Sequence, residues 1–271
     1  MHIRIPAIAI ALLFAPTLAL SAPAEVVNVE VRPGATMRYL AVTPGGQPRA
    51  GVILFAGGNG ALRLSPSGSI GNLRLNFLIR SREQFARQGL FVAALDAASD
   101  RQGGMNGEIR LSEQHAQDIG KVIADVRNRA GGAAVWLIGT SAGTLSAVNA
   151  GARLSGADPA MRPAGIVLTS TMTTLGAPEC GKTVYDAALG EIRVPVVVVS
   201  HENDGCPCSP GNSAVGARLL AACSRAPAKE HKIFAGGSAP ISGPCDAQAP
   251  HGYFGIEDSV VEFIADWIRR H

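Results

Sequence analysis

The sequence predicts a single α/β domain whose mostly parallel sheet is flanked by helices. Five short, continuous apolar runs have the composition of strands that are buried on both faces of a sheet. Segments with helical patterns separate these runs, and alternation of strand and helix is typical of α/β domains. Of the 271 residues, 47% are hydrophobic and 17% charged, which is the composition of a globular protein with a large core.

The predicted elements follow one another in a regular order. The five buried runs are residues 51–56, 90–95, 134–139, 165–168 and 194–200, and residues 229–234 form a weaker sixth. Two partly alternating strands, 26–31 and 37–43, precede them as a short antiparallel entry. Helices are predicted at residues 76–88, 112–129, 142–154, 212–223 and 256–270. Gly89 and Gly131 supply stop signals after the first two helices.

The first 24 residues have the pattern of a secretory signal. Arg4 precedes an apolar stretch at residues 7–20, and Ala22-Pro23-Ala24 fits the small-x-small cleavage rule. Cleavage after Ala22 or Ala24 would leave a mature protein in the periplasm or outside the cell, with residues 25–271 as its α/β domain. The apolar stretch is shorter than the roughly 20 residues that a spanning helix needs, so we expect no stable membrane insertion after cleavage.

Charge and cysteine content narrow the classes of partner. The net charge is +3 and no basic run exceeds two residues, so no nucleic-acid partner is expected. Export would allow disulfides, and an odd number of cysteines leaves at least one unpaired or bonded to another chain. No metal site is expected near His201 and Asp204, because the spacing of typical metal ligands is missing. No cofactor is expected either. The five cysteines are Cys180, Cys206, Cys208, Cys223 and Cys245.

Residues 139–143 (Gly-Thr-Ser-Ala-Gly) join the third buried run to a predicted helix. They match G-x-S-x-G, in which the glycines allow a sharp strand-to-helix turn that exposes the serine. In a chain this rich in glycine the pattern alone is weak, but its position between strand and helix supports it. We therefore predict that Ser141 is a nucleophile.

A nucleophilic serine needs a base and a carboxylate that orients the base. Asp204 lies just after the fifth run, at the edge of the sheet where a ligand site forms. Glu202 is the competing acid and remains an alternative. Among the six histidines, His251 follows the last strand, which is the position that the chain order Ser, acid, His requires. We predict Asp204 as the acid and His251 as the base.

An oxyanion hole needs two N–H donors. One would come from Ala142, and the other from the glycine-rich loop at residues 56–60 (Ala-Gly-Gly-Asn-Gly) after the first buried run. We nominate Gly58, with Asn59 as a helper. The same loop fails as a dinucleotide fingerprint because Arg63 stands where the third glycine is needed.

Taken together, these residues resemble the α/β-hydrolase superfamily. Ser141, Asp204 and His251 in this order, GVILFAGGNG at the oxyanion position and the PHGYFG loop carry the resemblance, which covers residues 51–268. It is closest to compact bacterial members of the dienelactone-hydrolase kind, with a minimal lid or none. Where that family has His-Gly before the oxyanion donor, this chain has Ala56-Gly57. The resemblance implies hydrolysis of an ester, thioester or amide of a small-molecule substrate.

Two other interpretations stay open. Residues 176–183 (GAPECGKT) match the phosphate-loop pattern, although Pro178 removes one backbone donor and Glu179 places a negative charge beside another. The third hypothesis is an α/β-hydrolase scaffold that binds a ligand without turnover.

The acid and the base also suggest a disulfide. Cys206 follows Asp204 by two residues and Cys245 precedes His251 by six. If acid and base meet, these cysteines approach the short Cα separation that a disulfide requires. Pairing of Cys208 with Cys245 or Cys180, or five reduced thiols, are the alternatives.

Overall fold

The computed structural model describes residues 24–174 and 180–271. Residues 1–23 of the predicted signal and residues 176–179 of the phosphate-loop pattern lie outside this part of the chain. The described residues form an eight-stranded sheet in the order β1-β2-β4-β3-β5-β6-β7-β8. The strands are β1 (Glu25–Arg32), β2 (Ala35–Val42), β3 (Ala50–Phe55), β4 (Leu90–Leu95), β5 (Val135–Thr140), β6 (Gly165–Thr169), β7 (Val196–His201) and β8 (Lys229–Phe234).

The prediction of a mostly parallel α/β sheet is confirmed. β2 runs antiparallel to both β1 and β4, and every other neighbouring pair is parallel. All eight predicted runs are strands, and their ends differ from the prediction by at most two residues.

The helices agree with the sequence less closely. The predicted helix at residues 76–88 is two short helices, because Ser81 ends the first and begins the second. A helix at Gly107–Leu111 was not predicted; it is only five residues long. The helices are α1 (Phe77–Arg80), α2 (Arg82–Arg87), α3 (Gly107–Leu111), α4 (Glu113–Arg129), α5 (Gly143–Leu154), α6 (Ser213–Ala222) and α7 (Glu257–Arg270).

The helices cover both faces of the sheet and close two hydrophobic cores. On one face α4, α5 and α6 contribute Ile119, Leu145 and Leu219. On the other face α1, α2 and α7 contribute side chains such as Phe77 and Ile264. Burial of both faces explains why the central strands are continuous apolar runs. Within the described ranges, no helix combines the length and apolar character needed to cross a membrane.

The topology gathers several loops at one edge of the sheet. β5 pairs with β3 in parallel, so the loops that follow these two strands leave the sheet side by side. The chain moves from β3 to β4 on one side and later to β5 on the other. A crevice forms at such a switch point, beyond the carboxyl ends of the strands, and ligands of α/β proteins bind there.

Candidate active site

Ser141 lies on a tight turn between β5 and α5. Its φ of 51° is in the left-handed region, which is costly for a residue with a Cβ. The two flanking glycines are sterically required: a Cβ on Gly139 would overlap the Gly143 backbone, and one on Gly143 would overlap the Phe55 carbonyl. The G-x-S-x-G pattern therefore forms the strained turn that the sequence predicts.

The carboxylate of Asp204 and the imidazole of His251 are hydrogen-bonded to each other. Asp204 Oδ2 lies 3.0 Å from His251 Nδ1, and Oδ1 lies 3.2 Å from it. The Asp204 side chain is fully buried and that of His251 is 6% exposed. The backbone N–H of Cys206 donates to Asp204 Oδ1 at 2.9 Å. Glu202 is exposed and contacts the Asn203 amide instead, so of the two carboxylates only Asp204 contacts the imidazole.

His251 also belongs to the wall of a cavity. His251 Nε2 is buried and has no hydrogen-bond partner among the described residues. His251 and Ser141 line the same cavity of about 410 Å³. No hydrogen bond joins Ser141 Oγ to Nε2; in hydrolases this contact often tightens only when a substrate binds. An unpaired polar atom in a buried position marks a place where a functional partner is expected.

The glycine-rich loop after β3 forms one wall of the cavity. Gly58 has a φ of 55° and lines the cavity. Its backbone N–H, like that of Ala142, makes no hydrogen bond to another described residue. Ala142 follows the nucleophile directly but does not itself line the cavity, and Asn59 does not line it either. Asn59 Oδ1 instead accepts bonds from Ala61 N and the Asn72 amide, so the structure does not bring the predicted helper to Ser141.

A buried arginine, Arg110, donates hydrogen bonds to the backbone of this loop. Arg110 Nη2 donates to the carbonyls of Ala56 and Gly58, at 3.1 Å each. Its Nη1 donates to Ser146 Oγ at 3.0 Å. Arg110 is 1% exposed and has no carboxylate partner among the described residues. Burial lowers the pKa of Arg110 to about 10, so the guanidinium still carries its charge at neutral pH.

Beside Arg110 lies a histidine that this charge helps to keep neutral. Burial, with a smaller contribution from the Arg110 charge, lowers the pKa of His115 to about 3. Its Nε2 lies 2.9 Å from Ser146 Oγ. Ser146 Oγ thus accepts from Arg110 Nη1 and lies within hydrogen-bond distance of the neutral imidazole. Through Arg110 Nη2 the cluster holds the carbonyls of Ala56 and Gly58 in place, whereas Arg110 Nε has no hydrogen-bond partner among the described residues.

Three residues near the site were not found from the sequence. Ser209 Oγ lies 3.3 Å from Asp204 Oδ2 and 3.1 Å from His251 Nδ1, so it contacts both partners. Arg110 donates to the carbonyl of Gly58, which lies 52 residues earlier in the sequence. Asn76 lines the cavity beside Ser141. Only Asn76 had a local signal, as a polar residue at the start of a predicted helix.

Two disulfides lie next to the site. Cys206 pairs with Cys245, with 4.6 Å between their Cα atoms, and this is the pairing that the spacing favoured. Cys180 pairs with Cys208, one of the alternatives, at 5.3 Å. Cys223 is buried and unpaired. Cys206 lies in the loop that carries Asp204, and Cys245 lines the cavity, so the first bridge links that loop to the cavity wall.

The described end of the phosphate-loop pattern does not lead into an α-helix. Thr183 caps a three-residue 3-10 turn, Val184–Asp186. Cys180 is in a disulfide, and Lys182 Nζ pairs with Glu108 and Asp186 at 3.4 and 3.5 Å. A phosphate loop needs its lysine free for the phosphates and a helix directly behind it. These contacts count against nucleotide binding here.

Solved structures share this architecture at low sequence identity. A dienelactone hydrolase from Anabaena variabilis is 18% identical with a TM-score of 0.57, covering 92% of this chain and 97% of that one. An α/β serine hydrolase without a lid from Xanthomonas campestris is 12% identical with a TM-score of 0.60, covering 91% and 94%. An esterase from Pyrococcus furiosus is 13% identical with a TM-score of 0.61, covering 91% and 90%.

At these identities the matches establish the fold and not the activity. No protein-family model matches the sequence, and no curated protein matches it. Coverage above nine tenths of both chains shows that the likeness extends over the whole domain. The strand order, the turn at Ser141 and these similarities together show that the chain has the α/β-hydrolase fold, similar to members without a lid.

Proposed function

We propose that this protein is an exported serine hydrolase that cleaves an ester through Ser141, His251 and Asp204. The observation that carries the proposal is the buried Asp204–His251 pair: His251 lines one cavity with Ser141 on its strained turn, and its Nε2 has no partner among the described residues. A histidine held by a carboxylate at Nδ1 is in the tautomer that accepts a proton at Nε2. A serine next to such a base is the arrangement of an activated nucleophile.

Each step of the reaction has a residue to perform it. Ser141 Oγ attacks the ester carbonyl carbon while His251 Nε2 takes the hydroxyl proton, and Asp204 stabilises the imidazolium. The backbone N–H groups of Gly58 and Ala142 donate to the carbonyl oxygen as it becomes negative. The tetrahedral intermediate then collapses: the bond to the leaving alcohol breaks, and His251 gives its proton to that alcohol.

Water completes the cycle. His251 removes a proton from water, which attacks the acyl-enzyme carbonyl, and a second collapse releases the acid and returns the proton to Ser141 Oγ. Thioesters and amides react through the same kinds of intermediate. The proposed steps therefore do not distinguish an alcohol from a thiol or an amine as the leaving group. We favour esters because solved structures with this fold include esterases.

Two features support export. The sequence of residues 1–24 has the three parts of a secretory signal. Disulfides persist in oxidising compartments and are rare in the cytosol, and four of the five cysteines are paired. We place the mature domain, residues 25–271, in the periplasm or outside the cell.

Hydrolysis of aryl esters with acyl chains of two to twelve carbons tests the activity. We expect turnover by the purified mature chain and its loss in Ser141→Ala, with an unchanged circular dichroism spectrum showing that the fold remains. A folded wild-type protein that cleaves no ester, thioester or amide would support the binding scaffold instead.

A further inference from the structure

The side chain of Asn76 has a fixed orientation at the cavity wall. Asn76 precedes α1, and its Oδ1 accepts a hydrogen bond from Leu78 N at 3.2 Å. The oxygen and the nitrogen of an amide diverge from the same carbon atom within one plane. Because the oxygen faces the helix, Nδ2 faces away from it. The helix cap therefore decides which end of the amide points outward.

Asn76 Nδ2 lies beside the nucleophile. A Cβ built on Gly57 would stand 3.4 Å from Asn76 Nδ2 and 2.9 Å from Ser141 Cβ. Both distances are measured from the same point, so Asn76 Nδ2 and Ser141 Cβ both border the space that a side chain at Gly57 would fill. Asn76, Gly57 and Ser141 all line the cavity. Asn76 Nδ2 makes no hydrogen bond to any of the residues that the structure describes, which leaves two N–H donors for a ligand.

We propose that the Asn76 amide is a third donor of the oxyanion hole, acting together with the backbone N–H groups of Gly58 and Ala142. The proposal rests on the proposed function. The amide donates to the ester carbonyl oxygen mainly in the transition state, as negative charge develops there, and only weakly in the bound substrate. Donors that are held in place before the reaction stabilise the transition state without a cost of reorganisation, and the cap on α1 holds this one.

The fixed amide also assigns a place to the substrate. The carbonyl oxygen would lie between Asn76 Nδ2 and Gly58 N, with its carbon in front of Ser141 Oγ. Leu73 and Leu75, which belong to the same segment as Asn76, line the cavity, and Leu75 is 54% exposed. An acyl or alcohol group on this side of the carbonyl therefore meets apolar side chains. Asn76 is a catalytic residue in this account, because it touches the reacting oxygen.

Asn76→Ser separates catalysis from helix capping. Serine caps helices about as well as asparagine, but its hydroxyl is too short to occupy the position of Nδ2. The matched control is Asn212→Ser: Asn212 caps α6 through Val215 N at 3.0 Å, is exposed and does not line the cavity. We expect kcat for an aryl acetate to fall by about 10²–10³-fold in Asn76→Ser. In Asn212→Ser, kcat should be unchanged, and both variants should keep the melting temperature of the wild type.

An aryl boronic acid, which forms a tetrahedral anionic adduct with a nucleophilic serine, supplies the second measurement. Its affinity should fall in Asn76→Ser by about the same factor as kcat/KM, with little change in KM. Wild-type kcat in Asn76→Ser would overturn the inference, and so would a loss of kcat with unchanged affinity for the boronic acid. A wild-type protein that neither hydrolyses esters nor reacts with a fluorophosphonate would instead refute the proposed function, and the inference with it.

Discussion

Removal of the Cys206–Cys245 disulfide by the double substitution Cys206→Ser and Cys245→Ser should lower the free energy of unfolding substantially. The bridge closes a segment of 39 residues. The loop-entropy relation gives about 4 kcal/mol for a loop of this length, gained mainly by restricting the unfolded chain. For a domain of this size, that corresponds to a melting temperature lower by about 8–16 °C.

Urea unfolding of the wild-type and double-variant proteins, with and without a thiol reductant, measures the effect. The second bridge, Cys180–Cys208, closes 28 residues and overlaps the first along the chain, so the two contributions should not add. The reductant should therefore destabilise the wild type more than the double variant, which has only one bridge to lose. Equal urea midpoints for the two oxidised proteins would refute the reasoning, as would a peptide map with Cys245 free or linked elsewhere.

Three further predictions concern single side chains. Asp204→Asn should lower kcat by about three to four orders of magnitude because the imidazole loses its orienting carboxylate, whereas exposed Glu202→Gln should change kcat little; the reverse pattern in steady-state kinetics would transfer the acid role to Glu202. Gly57→Ala should abolish ester turnover while the protein still folds, because the new methyl group would stand 2.9 Å from Ser141 Cβ; normal turnover would show that this approach is not tight. His115, with a folded pKa lowered to about 3 against about 6.5 when unfolded, should make stability fall as the pH drops from 6.5 toward 3, by at most about 1.4 kcal/mol per unit. His115→Gln should show a flatter dependence in urea unfolding at several pH values, and an equally steep one would contradict the buried neutral histidine.

The sheet could be predicted from the sequence because burial on both faces leaves a direct trace in composition. Residues 51–56 and 134–139 are almost entirely apolar, and the structure places them in the centre of the sheet as β3 and β5. The turn at Ser141 was also predictable, since its backbone tolerates only glycine at two positions. Both signals are local, so neighbouring residues suffice to detect them.

Other features depend on contacts between distant parts of the chain. The break between α1 and α2 at Ser81 has no glycine or proline to announce it. In the sequence, nothing distinguishes Arg110 from other polar residues. Only the folded chain brings it to the carbonyl of Gly58. The orientation of Asn59 likewise follows from its bond with Asn72, which no spacing rule predicts.

Reaction of the purified mature protein with a fluorophosphonate, followed by mass spectrometry, tests the central claim most directly. The reagent modifies a serine only where a base and an oxyanion hole activate it. We predict one adduct per chain, located by peptide mapping on Ser141 and absent from both Ser141→Ala and the unfolded wild type. A folded wild-type protein that stays unlabelled, or a Ser141→Ala protein that is labelled as fast as the wild type, would contradict the account.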